Sequence, residues 1–521
     1  MPADSTTAAT PSAESACQSG QEFLSRGDLA AASTAFETAI ALDPSMAQAH
    51  LGLGNSLRRQ LQYRAAESAL RRAYTLEPVL RETVFSLAFL LHGAGRDNEA
   101  GTALSALAAR EPADLTLQRQ IAGLLMDFGC FEAAAVLARK IAEATQTAGA
   151  WQRLGVCLLQ LLRLPEAEEA LNAAVHAEPL AGFAYLLMSQ TRRATTADRT
   201  RLTELRGILD SGRIAGDARA CLHFALGNWF EDLGDYAGAW AQFSAGNRLR
   251  HEARPFDRAA WEDYFKRMLN TAVRLDRSPA LGQRPQPLFL VGLPGANPEP
   301  LASLLVTHPA VSDLGAGTQV DGLARACEQL ADGNYPECLP TIEGAQLDGL
   351  EQGARSDWPE KSKDARWVLD QSPLNFLHLA LIVRVLPGAR IIYPHRHPID
   401  DCFSAHLCPF ADSLHNHAHD LQDLAFFHRQ FAALMKHWKQ ALPADTLMEF
   451  ATNQMLEGSA LTTDVVWKFL ELETPPAMAV RPSAARSVFA GDPQRRDIPG
   501  RWRNYREHLA PVLEAAGLEP E

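Results

Sequence analysis

The sequence predicts a two-part chain: an all-α solenoid of helix pairs, followed by an α/β domain with a short parallel sheet. Two observations carry this. Prolines recur at a fixed spacing through the first half, each closing a helical stretch. From residue 285 the pattern changes to strand-length apolar runs that alternate with helical ones, and that alternation marks an α/β domain.

The repeats come first. LDP ends at Pro44, LEP at Pro78 and REP at Pro112, steps of 34 residues; AEP ends at Pro179, a step of 67, two repeats less one residue. Small and large side chains keep the same register. The first unit carries Gly20, Ala32, Phe36 and Ala39, the second Leu53, Gly54, Ala66, Leu70 and Ala73, the third Leu87, Ala88, Ala100 and Leu104. A looser fourth has Ile121, Ala122, Ala134 and Ala138, and a sharp fifth has Trp151, Leu154, Gly155, Leu158, Ala167, Leu171 and Ala174. A later stretch, HFALGNWFEDLGDYAGAWAQFSAGN, repeats the scheme with Leu226, Gly227, Ala239 and Phe243. Small residues let two helices approach, large ones fill the gap, and proline stops the second helix. A helix-pair period of about 34 is the tetratricopeptide signature. Such arrays expose a groove suited to a protein or peptide partner, with Gln48, Asn55 and Arg58 facing it by analogy in the second unit.

The second part opens with RPQPLFLVGLP, an apolar run punctuated by Gly292 and Pro294, then LASLLVTHP. This reads as strand, tight turn and helix. ARWVLDQSP reads as another strand, NFLHLALIVRVLPGA as a helix, ARIIYPHRHP as a third strand and IDDCFSAHL as the start of a helix. The remainder reads as largely helical, with LAFFHRQFAALMKHWKQAL its clearest segment and PGRWRNYREHLAPVLEAAG its close. The expected organisation is an N-terminal tail over 1–12, tetratricopeptide repeats over 13–180, further helical units over 181–280 and an α/β domain over 285–521.

LDQSPLNFLHLALIVRVLPGARIIYPHRHPIDDCFSAHL resembles the core of the sulfotransferases that use 3′-phosphoadenosine-5′-phosphosulfate (PAPS). It is most similar to a bacterial branch, related to protein-tyrosine sulfotransferases, in which tetratricopeptide repeats precede the domain. The resemblance implies a P-loop-type α/β sulfotransferase-like fold and, for an active member, PAPS as cofactor. It also implies a phosphosulfate loop reading Pro-Arg-Ser-Gly-Thr-Thr after the first strand. Here that stretch is Pro294, Gly295, Ala296, Asn297, Pro298 and Glu299, with no change of length before His308 and Pro309. The replacements remove one positive charge, three hydroxyls and a backbone N–H, and they add a carboxylate. Asn297, Pro298 and Glu299 suit helix capping instead.

The 3′-phosphate end is implied at an Arg followed eight residues later by a Ser; Arg396 and Ser404 have that spacing, with His397 where the relatives have Asp. The alternative reading pairs Arg396 with Asp400 or Asp401. The relatives supply a base, Glu, shortly after the His-Pro pair. Here VSDLGAGTQV follows, Ala316 or Thr318 falls near that place, and Asp313 is the nearest carboxylate. Loss of both loop and base points to a pseudo-sulfotransferase that acts as an interaction protein and takes no cofactor. The competing expectation is an active enzyme that sulfates a protein, peptide or carbohydrate hydroxyl. Whether the chain is an enzyme stays open on sequence.

Composition narrows the setting. Forty-nine basic against 62 acidic residues give a net charge of −13, which speaks against a nucleic-acid partner. Eight scattered cysteines without a C-x-x-C pair fit a reducing compartment. No apolar run is long enough to span a bilayer, and MPADSTTAATPSAES lacks the charged and apolar regions of a signal peptide. The expected location is cytoplasmic. His415, His417 and His419, with His395, His397 and His406 upstream, match no metal-site pattern and read as a polar loop. No metal is expected.

Overall fold

The structure, a computed structural model, describes residues 12–60, 62–94, 96–271, 285–293, 299–315, 319–356, 358, 362, 364–410, 413–452, 463–475 and 499–509. The chain divides into two compact units, Met1–Leu137 and Ala138–Glu521.

The first unit is built of helices α1 (Ala13–Arg26), α2 (Leu29–Leu42), α3 (Ala47–Arg59), α4 (Tyr63–Leu76), α5 (Arg81–Gly93), α6 (Asp97–Arg110) and α7 (Leu115–Asp127), and ends within α8 (Phe131–Thr145). α1 packs on α2, α3 on α4 and α5 on α6. The positions singled out by the repeat are its core: Ala32, Phe36, Ala39, Ala66, Leu70, Ala73, Ala88, Ala100 and Leu104 are all fully buried. The glycines explain the close approach, since a Cβ at Gly54 would lie 2.6 Å from Leu70 Cγ.

The second unit begins with further helix pairs. α9 (Ala148–Gln160) packs on α10 (Leu164–Ala177), then come α11 (Gly182–Met188) and α12 (Arg199–Asp210), and α13 (Gly216–Asp232) packs on α14 (Tyr236–Ala253). At Gly227 a Cβ would lie 2.5 Å from Phe243 Cε1, the same small-against-large device. α15 (Arg258–Asn270) then leads to the sheet.

The sheet has five parallel strands in the order β2-β3-β1-β4-β5. They are β1 (Gln286–Leu290), β2 (Val311–Gly315), β3 (Trp367–Asp370), β4 (Arg390–His395) and β5 (Leu447–Ala451). α16 (Glu299–Leu305) follows β1; α17 (Gln319–Ala331) and α18 (Ala345–Ser356) follow β2; a 3-10 helix (Pro373–His378) and α19 (Leu379–Val385) follow β3. After β4 come α20 (Pro398–Leu407), a 3-10 helix (Ser413–His419) and α21 (Leu421–Ala441); after β5 come α22 (Asp464–Phe469) and a 3-10 turn (Arg501–Tyr505). Alternation along the strands sorts the two faces. Phe289, Val291 and Ile391 pack under α15, α17, α18, α19 and α21. Leu288, Leu290, Trp367, Leu369 and Ile392 pack under α16 and α22.

The three strands and, within the described residues, the helices read from sequence are present; 1–11, 272–280 and 510–521 lie outside the described residues. Two strands are additional: β2, within VSDLG, and β5, within the stretch read as helical. Phe265 and Met268 of α15 belong to the same core cluster as β1 and α21. No helix among the described residues is long and apolar enough to cross a membrane.

Candidate functional site

A parallel sheet offers its ligand crevice at the carboxyl ends of the strands, where the connections diverge. Here the chain runs from β1 outward to β2, returns to β3, and crosses β1 to reach β4. The carboxyl ends of β1 and β4 therefore flank the switch point, and Arg396 is the first residue beyond β4. Of the loop residues proposed from sequence, Gly295, Ala296, Asn297 and Pro298 lie outside the described residues. Glu299 begins α16, with its side chain also outside them. Ala316 and Thr318 lie outside them as well.

Arg396 and Ser404 are brought together. The Arg396 Nη2 donates to Ser404 Oγ at 3.2 Å, and its Nε donates to Asp401 Oδ1 at 2.9 Å. The side chains of this ion pair are 4% and 2% exposed. The eight-residue spacing works because Arg396 leaves the strand and Ser404 lies within α20, on a turn that faces back to it. His397 is the N-cap of α20: its Nδ1 accepts the Ile399 N–H at 3.3 Å, with Pro398 at the first helical position. Two buried carboxylates, Asp400 and Asp401, occupy the first turn, where they complement the helix dipole. The pairing with Asp401, one of two alternatives open on sequence, is present.

Asp313 lies in β2, where its Oδ1 accepts the Gln371 Nε2 and the Gly315 N–H, each at 2.7 Å. It fastens the β2–β3 edge, where the register shifts between Asp313 and Gly315. The sequence reading missed Asp370. This carboxylate ends β3, is 3% exposed, and accepts the Ser372 N–H at 2.8 Å and Asn375 Nδ2 at 3.0 Å. Burial pushes its pKa up to about 6; the bonds from Ser372 and Asn375 oppose the rise and the charge on Asp313 adds to it. It borders a small cavity with Phe289, Val320, Leu323 and Trp358. The signal was there: a single Asp closing an apolar strand just before a Ser-Pro turn.

The histidines form no polar loop, which corrects that expectation. His406, His417 and His419 are buried in the seam between α14 and the α20–α21 region. The His406 Nδ1 lies 2.8 Å from the Ala418 carbonyl, and Asn247 Nδ2 donates to the His406 carbonyl at 2.8 Å. His419 Nδ1 lies 3.1 Å from Asn247 Oδ1. Burial pushes the pKa of His406 down to about 4 and that of His419 down to about 3, the latter helped by Arg250 and His406. His417 stacks on Phe427, with ring centroids 3.8 Å apart. Among the described residues no group of three or more His, Cys, Asp or Glu is placed to hold a metal ion.

The C-terminal turn completes this region. The Gly500 N–H donates to Asp400 Oδ1 at 2.7 Å, and Arg501 Nε donates to Glu231 Oε1 of α13 at 2.6 Å. Trp502, 2% exposed, stacks near His397 with ring centroids 6.1 Å apart. Arg495 and Arg496 lie outside the described residues.

Comparison with known proteins agrees with this architecture. Residues 287–476 match the model of a sulfotransferase family, and residues 20–60 match that of a TPR repeat. An uncharacterized protein of Aquifex aeolicus (strain VF5) is 22% identical over 388 residues, which cover 70% of this chain and 50% of that protein. The chain thus spans about half the length of that curated relative. Among solved structures, the C-terminal part of a TPR repeat-containing protein from Cytophaga hutchinsonii is 12% identical, covering 47% of this chain and 98% of its own, at a TM-score of 0.32. A tetratricopeptide repeat protein from Parabacteroides merdae is 14% identical, covering 48% and 96%, at a TM-score of 0.27. The periodicity, the helix pairs, the parallel sheet and the matched segments converge: this chain carries tetratricopeptide repeats followed by a sulfotransferase-family domain.

Proposed function

We propose that the protein is an interaction protein: a tetratricopeptide array that binds a protein or peptide, joined to a sulfotransferase-family domain that does not catalyse transfer. The observation that carries the reading is the buried pair of Arg396 with Asp401. A guanidinium that is to hold a 3′-phosphate needs its charge available to the ligand. This one is offset by a carboxylate inside the fold, and a second carboxylate, Asp400, lies beside it. A 3′-phosphate must compete with Asp401 for that guanidinium, which weakens its hold. The pairing supports a turn that holds the 3′-phosphate end of PAPS weakly or not at all. The composition of residues 295–299 supports the same reading at the other end.

On the repeat side, Gln48 and Arg58 are exposed and Asn55 is half-buried, in keeping with a polar groove open to a partner. All eight cysteines are free, which favours a cytoplasmic location.

The test is calorimetric titration of the full chain with PAPS and with adenosine 3′,5′-bisphosphate. No PAPS binding is expected in the micromolar range, with the bisphosphate binding at most weakly. Micromolar PAPS affinity, together with sulfated product from a hydroxyl acceptor, would falsify the non-catalytic reading.

A further inference from the structure

Residues 500 and 501, one peptide bond apart, hold two different elements. The Gly500 N–H donates to Asp400 of α20, while Arg501 clasps both carboxylate oxygens of Glu231 near the end of α13. That ion pair is half-buried, each side chain 10% exposed. Asp401, the neighbour of Asp400, holds Arg396. An unbroken line of contacts thus runs from Glu231 through Arg501, Gly500, Asp400 and Asp401 to Arg396.

Packing follows the same line. Tyr505, 1% exposed, lies with its ring centroid 5.0 Å from that of Phe403 on α20 and 6.0 Å from that of Trp240 on α14. The Arg501 guanidinium lies 5.9 Å over the Phe403 ring. The positive φ of Gly500, 80°, lets the chain turn between its two anchors.

We propose that residues 499–509 are a latch that couples the helix pair α13–α14 to the Arg396 turn. A partner that moves the helix pair alters the hold on Asp400, and through it the pairing of Asp401 with Arg396. Coupling is reciprocal, so a change at the Arg396 turn is felt at the helix pair. The physical warrant is a contiguous set of polar contacts, partly or fully buried, shared by one short segment. The functional meaning of the coupling rests on the proposed reading of the Arg396 turn; the coupling itself does not.

The experiment is hydrogen exchange on the full chain, wild type against Glu231→Gln, a site outside the Arg396 turn. Exchange is expected to rise by about tenfold or more in 499–509 and in 396–404 together. Strand 286–290 and helices α9–α10 should keep their wild-type rates. Loosening of 499–509 alone makes the segment a passive cover and overturns the proposal, and so does uniform acceleration across the whole unit. The double variant Glu231→Gln with Arg501→Gln removes the unpaired charge left by the single change. Both segments are expected to stay faster than wild type, because the clasp is still missing; return of both to wild-type protection would assign the single-variant effect to the unpaired charge and overturn the latch, as would loosening of 499–509 alone. No nucleotide is present in this measurement, so its outcome stands apart from the PAPS titration.

Discussion

At the scale of single residues, the identity of the group facing Arg396 decides what the turn after β4 can do. Asp401 is close, buried and charged, so it acts as a resident anion. Asp401→Asn removes that anion from a buried guanidinium, a loss of about 3–5 kcal/mol. The expected outcome is a lower melting temperature without ligand. Adenosine 3′,5′-bisphosphate should restore part of it, because its 3′-phosphate can then serve Arg396. Affinity for the bisphosphate should rise by roughly tenfold or more, as one charge-assisted bond is worth about 1.5–3 kcal/mol. Melting curves with and without the bisphosphate, together with calorimetry, check this. A variant that is destabilised but gains no affinity shows that Asp401 guards no anion site.

At the scale of elements, helix pairs close on small residues, and the cost of enlarging them is set by what the new atoms meet. At Gly227 a Cβ would meet the Phe243 ring at 2.5 Å, and at Gly155 it would meet the Leu171 side chain at 2.6 Å. Gly227→Val is expected to destabilise the second unit by about 1–3 kcal/mol. α14 also carries Asn247 and Arg250 to the seam with the sheet domain, so the shift does not stay local. Gly207→Ala is the control. A Cβ there meets nothing within 4 Å on α12, so the change should be neutral or stabilising by up to about 1 kcal/mol. Thermal melts of the two variants should move apart; similar losses in both would show that helix approach is not what the glycines serve.

At the scale of the whole molecule, buried histidines set the response to acid. His406, His419 and His428 have pKa values pushed down by burial to about 4, 3 and 4. Unfolded, each returns to about 6.5, so the unfolded chain binds more protons below that pH. Their contribution is present above pH 6.5 and is lost as pH falls toward 4. Asp370 has the opposite sign: its folded value of about 6 favours the folded state at low pH, and that contribution is lost as pH rises from about 4 through 6. Three groups outweigh one. Unfolding near pH 5.5 should take up roughly two protons, so stability of the second unit falls steadily from pH 6.5 to 4. Denaturant melts across that range check it, and a flat profile would mean that the histidines are not buried neutral.

The sequence by itself determined the features that repeat over short distances. A 34-residue period with Gly54 against Leu70 and Gly227 against Phe243 needs only neighbouring helices, so the repeats were legible. The strand and helix that open the sheet domain were legible for the same reason; Arg396 and Ser404 were picked out through the family resemblance, by their eight-residue spacing. Tertiary structure alone decided the rest. β2 and β5 are edge strands, short and half-exposed, and pairing with β3 and β4 rather than their own pattern makes them strands. The sequence offered Arg396 both Asp400 and Asp401; the fold pairs it with Asp401 and brings Asp400 to the Gly500 N–H. Arg501 and Glu231 stand 270 residues apart, and His406 and His419 lose their water only when α14 closes over them. Periodicity is a local property that a chain displays before it folds. Burial and the choice of ionic partner depend on contacts between distant segments, which exist only once the core has formed.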